Sequence, residues 1–190
     1  AQNALEDAKQ AKLKAENDLA KSYGDAYNNA STAFLNLAGT MDGLKDLLTS
    51  GTGYLGGQKN YSETELVYHD AAYNSYNKAK NIYEQSLVEF RAVSKSSVTD
   101  ILEKLVMRTY ETLNSVAQAL KDSASAVNYY KDRHTETAST AATVVTNLNS
   151  WSSKVSSDLL TISAIKNTIE SAKNTLSSSI RSIPEKTQAL

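Results

Sequence analysis

The sequence predicts an all-α fold: an elongated antiparallel four-helix bundle with a two-helix coiled-coil stem formed by the N- and C-terminal segments. Apolar residues recur every three or four positions along four long stretches, which is the period of a helix with one buried face. Short segments rich in glycine or serine separate these stretches. The outer two stretches are longer than the inner two, so we expect their free ends to pack only against each other.

The first predicted helix spans residues 1 to 49, with a seam that begins at Ala4 and is mostly alanine in its first half. Gly39 and Gly43 lie inside this helix, and we expect a local bend or a close helix contact near them. The helix ends at a loop, residues 51 to 59, that contains four of the chain's glycines.

The second predicted helix spans residues 62 to 93. Ser62 followed by Glu65 is the capping-box pattern that opens a helix. Its seam is rich in tyrosine, and an aromatic stripe at helical spacing more often packs in a core than binds a ligand. We therefore assign these side chains to bundle packing; they are Tyr68, Tyr73, Tyr76 and Tyr83.

The third predicted helix spans residues 98 to 133, with Thr99 or Asp100 as its capping residue. The fourth spans residues 139 to 183, and its seam spacing of about 3.5 residues favours left-handed coiled-coil packing. Pro184 is expected to stop or kink it. Residues 139 to 153 are its weakest helical stretch, because they are rich in β-branched residues and serine. A strand there would have no partner strand.

We interpret residues 1 to 190 as a single helical domain, cut from a larger protein. If the second helix packs back along the first, it ends level with about residue 18. Residues 1 to 17 and about 174 to 183 then project as a stem about 15 to 25 Å long. The glycine-rich loop and the turn at residues 134 to 137 lie together at the opposite tip.

Composition narrows the classes of partner. The formal net charge is −1, from 20 basic and 21 acidic residues. No basic block is present, so we expect no nucleic-acid partner. No run approaches the roughly 20 apolar residues that span a bilayer, so we expect no direct membrane insertion by this segment. The chain has no cysteine for a thiolate nucleophile or a soft metal site.

No catalytic, cofactor-binding or metal-binding residues are predicted. His69 and His134 lack the spaced partners of a helix-borne metal site. The Gly-Thr-Gly that begins at Gly51 lacks the lysine and the preceding strand of a phosphate-binding loop. We therefore expect a non-enzymatic domain without a cofactor or a small-molecule ligand.

Tyr54 and Leu55 stand in the glycine-rich loop, outside any seam. Such an apolar pair either folds back to cap the bundle or meets a partner. We hypothesise that the loop is kept flexible so that the pair contacts a protein partner or another copy of the chain. For Trp151, the sequence leaves open whether the side chain anchors the core or marks an exposed contact.

Four segments carry a family resemblance: "AQNALEDAKQAKLKAENDLAKSYGDAYNNASTAF", "AAYNSYNKAKNIYEQSLVEF", "YETLNSVAQALKDSASAVNYYKDRHTE" and "LLTISAIKNTIESAKNTLSSSI". The spacing of their alanine and leucine residues and the order of the helices resemble the helical-hairpin region of hemolysin-secretion-type periplasmic adaptors, also called membrane fusion proteins. The resemblance implies a structural arm of an extracytoplasmic transport or secretion assembly, anchored to the membrane through other segments and bound to protein partners. None of the arginines is followed by leucine, so the Arg-Leu tip pattern of many such adaptors is missing.

Two other classes share this architecture. An extracytoplasmic four-helix-bundle sensor domain would need arginines directed at a ligand carboxylate, for which Arg108 and Arg133 are the candidates. A helical pore-forming toxin would need a contiguous apolar hairpin, and "GTGYLGG" is too short for one.

Overall fold

The computed structural model describes residues 2–58, 60–134 and 137–188. Within these ranges the chain folds into four helices without a strand: α1 (Gln2–Thr49), α2 (Glu63–Arg91), α3 (Thr99–Lys131) and α4 (Ala138–Gln188). This arrangement confirms the predicted all-α bundle.

Two pairs of helices form the bundle. Helix α1 packs against α4, and α2 packs against α3 as a hairpin; α3 also contacts α4 and α1. Contrary to expectation, α2 makes few contacts with α1. The residues that α2 buries are mostly small, as in Ala72, Ala79 and Ser86, and they suit the close approach to α3. Helix α2 contacts α1 mainly through aromatic side chains; Phe90 of α2, for example, stacks on Phe34 of α1 with 4.8 Å between the ring centroids.

The hydrophobic core runs through the part of the bundle where all four helices are present. Each large aliphatic side chain buried there contributes about 1.5–3 kcal/mol relative to an exposed one. The largest that are almost fully enclosed are Leu37, Leu44, Leu55, Leu113, Leu120, Leu148 and Ile162. They come from α1, α3, α4 and the glycine-rich loop, so α2 covers this core and adds few large aliphatic side chains to it.

The starts of α2 and α3 are built differently. The predicted capping box of α2 is confirmed: the Glu65 backbone N–H donates to the Ser62 hydroxyl, and the Ser62 N–H donates to the Glu65 carboxylate at 2.7 Å. At α3 the prediction was wrong, because the cap is Val98 and no side chain accepts a capping hydrogen bond. Asp100 lies in the first turn of α3, where its carboxylate interacts favourably with the positive end of the helix dipole.

Helix α4 is longer than predicted. Pro184 lies inside it, and the helix continues to Gln188. Of the two expected outcomes, a stop or a kink at Pro184, the stop was therefore wrong. Proline removes the hydrogen bond to the carbonyl four residues earlier, at Ile180, and in this exposed segment solvent can satisfy that carbonyl. Residues 139 to 153 are helical and form no strand.

Two contacts fix the register of α1 against α4. The Asn36 side-chain amide donates to Asp158 at 2.9 Å. Farther toward the tip, Trp151 lies over Gly43: a Cβ added at Gly43 would come within 2.3 Å of the indole ring. The predicted close helix contact is therefore confirmed at Gly43. At Gly39 a Cβ would meet nothing within 4 Å, so the close contact lies at Gly43 and not at Gly39.

The stem is formed by the ends of α1 and α4. The turn between α2 and α3 lies beside Gly24, where an added Cβ would be 2.9 Å from the Lys95 side chain. N-terminal to Tyr23, α1 packs mainly against α4 for about 20 residues or 30 Å. The apolar residues that α1 buries in this segment are Ala8 and Ala15, and the described part of α4 buries none beyond Ile169. The apolar contact between the two stem helices is therefore small.

We predict opposite effects for alanine at the two α1 glycines. Gly43→Ala should destabilise the protein by about 1–3 kcal/mol, because the methyl group overlaps the indole of Trp151. Gly39→Ala, the matched control, should stabilise it by up to about 1 kcal/mol through helix propensity. Urea unfolding monitored by circular dichroism measures both. Equal effects of the two substitutions would contradict the close contact.

We also predict that the stem opens more readily than the head, since its alanine seam buries little apolar area. Hydrogen exchange should give residues 2 to 15 protection factors more than about a hundredfold below those of residues 102 to 125. Similar protection in the two segments would show that the stem is not a separate, weaker unit.

Candidate functional site

The strongest candidate site is the distal cap, the end of the bundle opposite the stem. There the glycine-rich loop meets the ends of the helices and the turn before α4. The cap is defined by Tyr54, Leu55, Tyr61, Glu65, Tyr130 and His134.

The glycine-rich loop folds back over the C-terminus of α1. The Leu47 carbonyl, one of those left unpaired by the end of the helix, accepts hydrogen bonds from the backbone N–H groups of Leu55 and Gly56 at 3.1 and 3.0 Å. A Cβ at Gly53 would lie 1.9 Å from the Asp46 carbonyl oxygen. Glycine is needed at position 53 because two backbone segments approach closely there. It is not needed for a left-handed backbone, since no described glycine has a positive φ.

The loop does not present Tyr54 and Leu55 to solvent. The two residues are 7% and 1% exposed, and they belong to the main core cluster. This burial agrees with the first of the two alternatives, in which the pair folds back to cap the bundle. It results from the backbone hydrogen bonds above, which turn the loop inward and place Leu55 over the end of the core. A partner could reach this pair only after the loop opened.

Tyr130 is the centre of the cap. Tyr54 and Tyr61 approach its ring edge-on, with centroids 5.6 and 5.8 Å away. Its hydroxyl donates to the Gln58 side chain at 2.6 Å, and Gln58 donates in turn to the Tyr54 carbonyl at 2.9 Å. These contacts join the loop to the end of α3.

The four α2 tyrosines predicted to pack in the bundle divide into two pairs. Tyr76 is buried and Tyr83 packs against the core. Tyr68 and Tyr73 are exposed, so the prediction was wrong for those two.

The predicted neighbourhood of the loop and the turn before α4 is confirmed by one side-chain contact. The hydroxyl groups of Tyr54 and Thr137 lie 2.9 Å apart. Thr135 and Glu136, also part of that predicted turn, and Lys59 of the predicted loop lie outside the described residues.

A histidine–carboxylate pair joins α2 to the end of α3. His134 Nε2 lies 2.8 Å from a Glu65 carboxylate oxygen, and Glu65 is only 6% exposed. The pKa of Glu65 is lowered, chiefly because the Ser62 backbone N–H donates to the carboxylate, with further lowering from the Ser62 side chain and from His134. The imidazole also stacks on Tyr130, with centroids 4.0 Å apart. The Glu65 carboxylate therefore caps α2 and also contacts His134, three residues after the end of α3.

His69 does not join this pair. Its ring lies between Tyr61 and Tyr73, with centroid distances of 4.9 and 6.2 Å, and its Nδ1 is 3.3 Å from the Asp70 carboxylate. No group of three or more histidine and acidic side chains placed to hold a metal ion exists among the described residues.

A second polar cluster lies at the neck, where the head meets the stem. The Tyr23 hydroxyl donates to the Glu103 carboxylate, and Lys173 donates to both of its oxygens at 2.9 and 3.1 Å. The hydrogen bond from Tyr23 and the contact with Lys173 lower the pKa of Glu103, while burial raises the pKa of Tyr23. Glu103 thus connects α3 to both stem helices.

The two arginines considered for a sensor site lie far apart. Arg108 forms ion pairs with Glu89 and Glu111, at 3.3 and 3.0 Å, whereas Arg133 lies over the ring of Tyr129. About 25 residues of α3 separate them, which corresponds to about 37 Å. They therefore do not converge on one ligand.

Sequence reasoning found Glu65 as a capping residue but missed its pairing with His134, and it missed Glu103 altogether. These contacts join residues on different helices, and no local pattern signals them. Within the described ranges, no helix has the length and hydropathy needed to cross a membrane. No protein-family model, curated protein or solved structure matches this chain.

We predict that Leu55→Ala destabilises the protein by about 2–5 kcal/mol, because it leaves a cavity at the end of the core. Leu35→Ala is the matched control; Leu35 is 77% exposed, and its truncation should change the free energy of unfolding by less than about 0.5 kcal/mol. Chemical denaturation measures both. A negligible effect of Leu55→Ala would mean that the loop does not cap the core.

We predict that Glu65 makes the protein sensitive to acid. Its pKa in the folded state lies below the ordinary value of 4.5, so its contribution to stability is present above that value and is lost as the pH falls through the folded pKa. Between about pH 5 and pH 3, wild type should therefore lose more stability than Glu65→Gln. Unfolding curves across this range provide the measurement, with Glu63→Gln as the exposed control for loss of a charge. An identical pH dependence in wild type and Glu65→Gln would refute the coupling.

Proposed function

We propose that this chain is the helical-hairpin arm of a periplasmic adaptor, a non-enzymatic domain of a transport or secretion assembly that works outside the cytoplasm. One observation carries the proposal: α1 and α4 form a two-helix antiparallel stem, and this stem holds a four-helix head at its far end. This is the shape expected of an arm that holds a contact surface at a distance from its attachment.

The dimensions support a spacer role. At 1.5 Å per residue, the 48 residues of α1 span about 72 Å, of which about 30 Å belong to the stem. The neck cluster around Glu103 and the register contacts at Asn36 and Gly43 favour a head held in one orientation on its stem. The distal cap is the part of the arm farthest from the stem, so it is where we place contact with a protein partner.

The adaptor proposal is preferred to a sensor domain. A sensor of the kind considered would bind a carboxylate between helices, and the separation of Arg108 from Arg133 speaks against a shared site. In the proposal the membrane anchor is supplied by other segments, and the partners are proteins of the assembly.

The test is site-specific photo-crosslinking of the protein in the cells that produce it. A photoreactive residue replaces the exposed Asn60 beside the distal cap, and the matched control replaces the exposed Asn28, about 33 Å nearer the stem along α1. We expect crosslinks from position 60 to a component of an envelope transport or secretion complex, and few from position 28.

Cell fractionation accompanies the crosslinking and should place the protein outside the cytoplasm. Recovery in the cytoplasm would overturn the proposal. Crosslinking to a transport component from position 28 but not from position 60 would overturn the assignment of the tip as the contact surface.

A further inference from the structure

A cavity of about 430 Å³ lies beside the distal cap, between the end of α1, the glycine-rich loop and the first turns of α4. It is separate from the packed Tyr54–Tyr130 contact, although Tyr54 forms part of its wall. The lining side chains that matter for recognition are Asp46, Ser50, Thr52, Asn147 and Trp151.

The sequence shapes this cavity through two glycines. Gly43 lets the indole of Trp151 lie directly against α1. Gly53 lets the loop approach the end of α1, and its N–H donates to the Ser50 carbonyl at 2.9 Å. The hydroxyl groups of Ser50 and Thr52 lie 3.0 Å apart in the same turn, so the loop presents them as one wall of the cavity.

Asp46 and Asn147 stand on opposite sides of the cavity. The register that sets Gly43 against Trp151 brings these two side chains to the same level of α1 and α4. Across the described residues, neither side chain has a hydrogen bond or ion pair, and no ring or cation stacks on Trp151. The cavity thus holds a carboxylate and an amide without a polar partner among the described residues, beside an indole that packs on Gly43 and also lines the cavity.

The negative charge of the residues that line the cavity favours a cationic ligand. Asp46 is the one formally charged residue among the described residues that line the cavity, and none of these is a lysine, arginine or histidine. An ammonium group placed on an indole ring is attracted by the ring quadrupole, and tryptophan is the best aromatic partner for it. A carboxylate beside that ring adds direct charge pairing. A pocket with an aromatic wall and a few convergent polar groups is also the usual form of a small-molecule site.

We propose that this cavity binds an organic ammonium group, held by the carboxylate of Asp46 and the indole of Trp151, with Asn147 and the loop hydroxyls as polar contacts. The ammonium comes either from a free amine or from a lysine side chain of a protein at the tip. The site goes beyond the adaptor proposal and does not depend on it.

The experiment uses the fluorescence of Trp151, the only tryptophan in the chain. The full chain is titrated with choline and, separately, with cadaverine, whose primary ammonium on a methylene chain models a lysine side chain. Sodium chloride keeps the ionic strength constant. We expect a saturable change with a dissociation constant on the order of millimolar, since these probes have only about seven non-hydrogen atoms. Tighter binding of choline than of cadaverine points to a free quaternary amine as the ligand. Equal or tighter binding of cadaverine points to a lysine side chain as the source of the ammonium group.

Two variants and one neutral probe make the result decisive. Asp46→Asn should weaken binding about fivefold or more, whereas Asp42→Asn, an exposed carboxylate one turn away that does not line the cavity, should leave it within about twofold. The uncharged carbon isostere of choline should give no saturable change. Circular dichroism confirms that both variants remain folded. A response that is absent for both amines, unchanged in Asp46→Asn, or equal for the neutral isostere would overturn the proposal.

Discussion

Along α1 and α4, small residues let two long helices approach closely, and this contact keeps one register from the tip into the stem. Helix α1 buries small residues along its length, among them Ala8, Ala15, Ala26 and Ala33, and Gly43 lies beneath Trp151 of α4. Small side chains permit close approach but bury little apolar area. The pair is therefore well aligned and weakly stabilised on its own, and it depends on further packing wherever it must be rigid.

The α2–α3 hairpin supplies that packing in the head. Helix α3 adds further large aliphatic side chains to those that α1 and α4 contribute to the core, among them Leu113 and Leu120. Glu103 connects α3 to both stem helices at the neck, and Glu65 connects α2 to His134 at the tip. The head is thus closed at both ends by a carboxylate that contacts residues of other elements. Below the neck the described residues of the α2–α3 hairpin contribute little further packing, so the stem is held mainly by the small apolar contact between α1 and α4.

Much of the fold could be predicted from the sequence because helical periodicity and the capping box at Ser62 are local signals. The misses have physical causes. Pro184 was expected to stop or kink α4; the helix does not stop there, because an exposed helix tolerates the lost hydrogen bond. For Tyr54 and Leu55, the sequence left both capping of the bundle and contact with a partner open, since glycine suggests flexibility; in the structure, Gly53 serves close packing against the Asp46 carbonyl and the pair is buried. The pairing of Glu65 with His134, and the cavity beside Trp151, depend on register between helices, which no local pattern specifies.

The register of α1 on α4 is tested most directly by a disulfide in the stem, where no other helix supports it. The chain contains no cysteine. In the stem, Ala15 and Thr175 line one groove between α1 and α4. The double variant Ala15→Cys with Thr175→Cys should therefore form an intramolecular disulfide under mild oxidation, whereas Ala8→Cys with Thr175→Cys, two turns out of register along α1, should form little. Equal yields from the two pairs, or a higher yield from the second, would contradict a single register along α1 and α4.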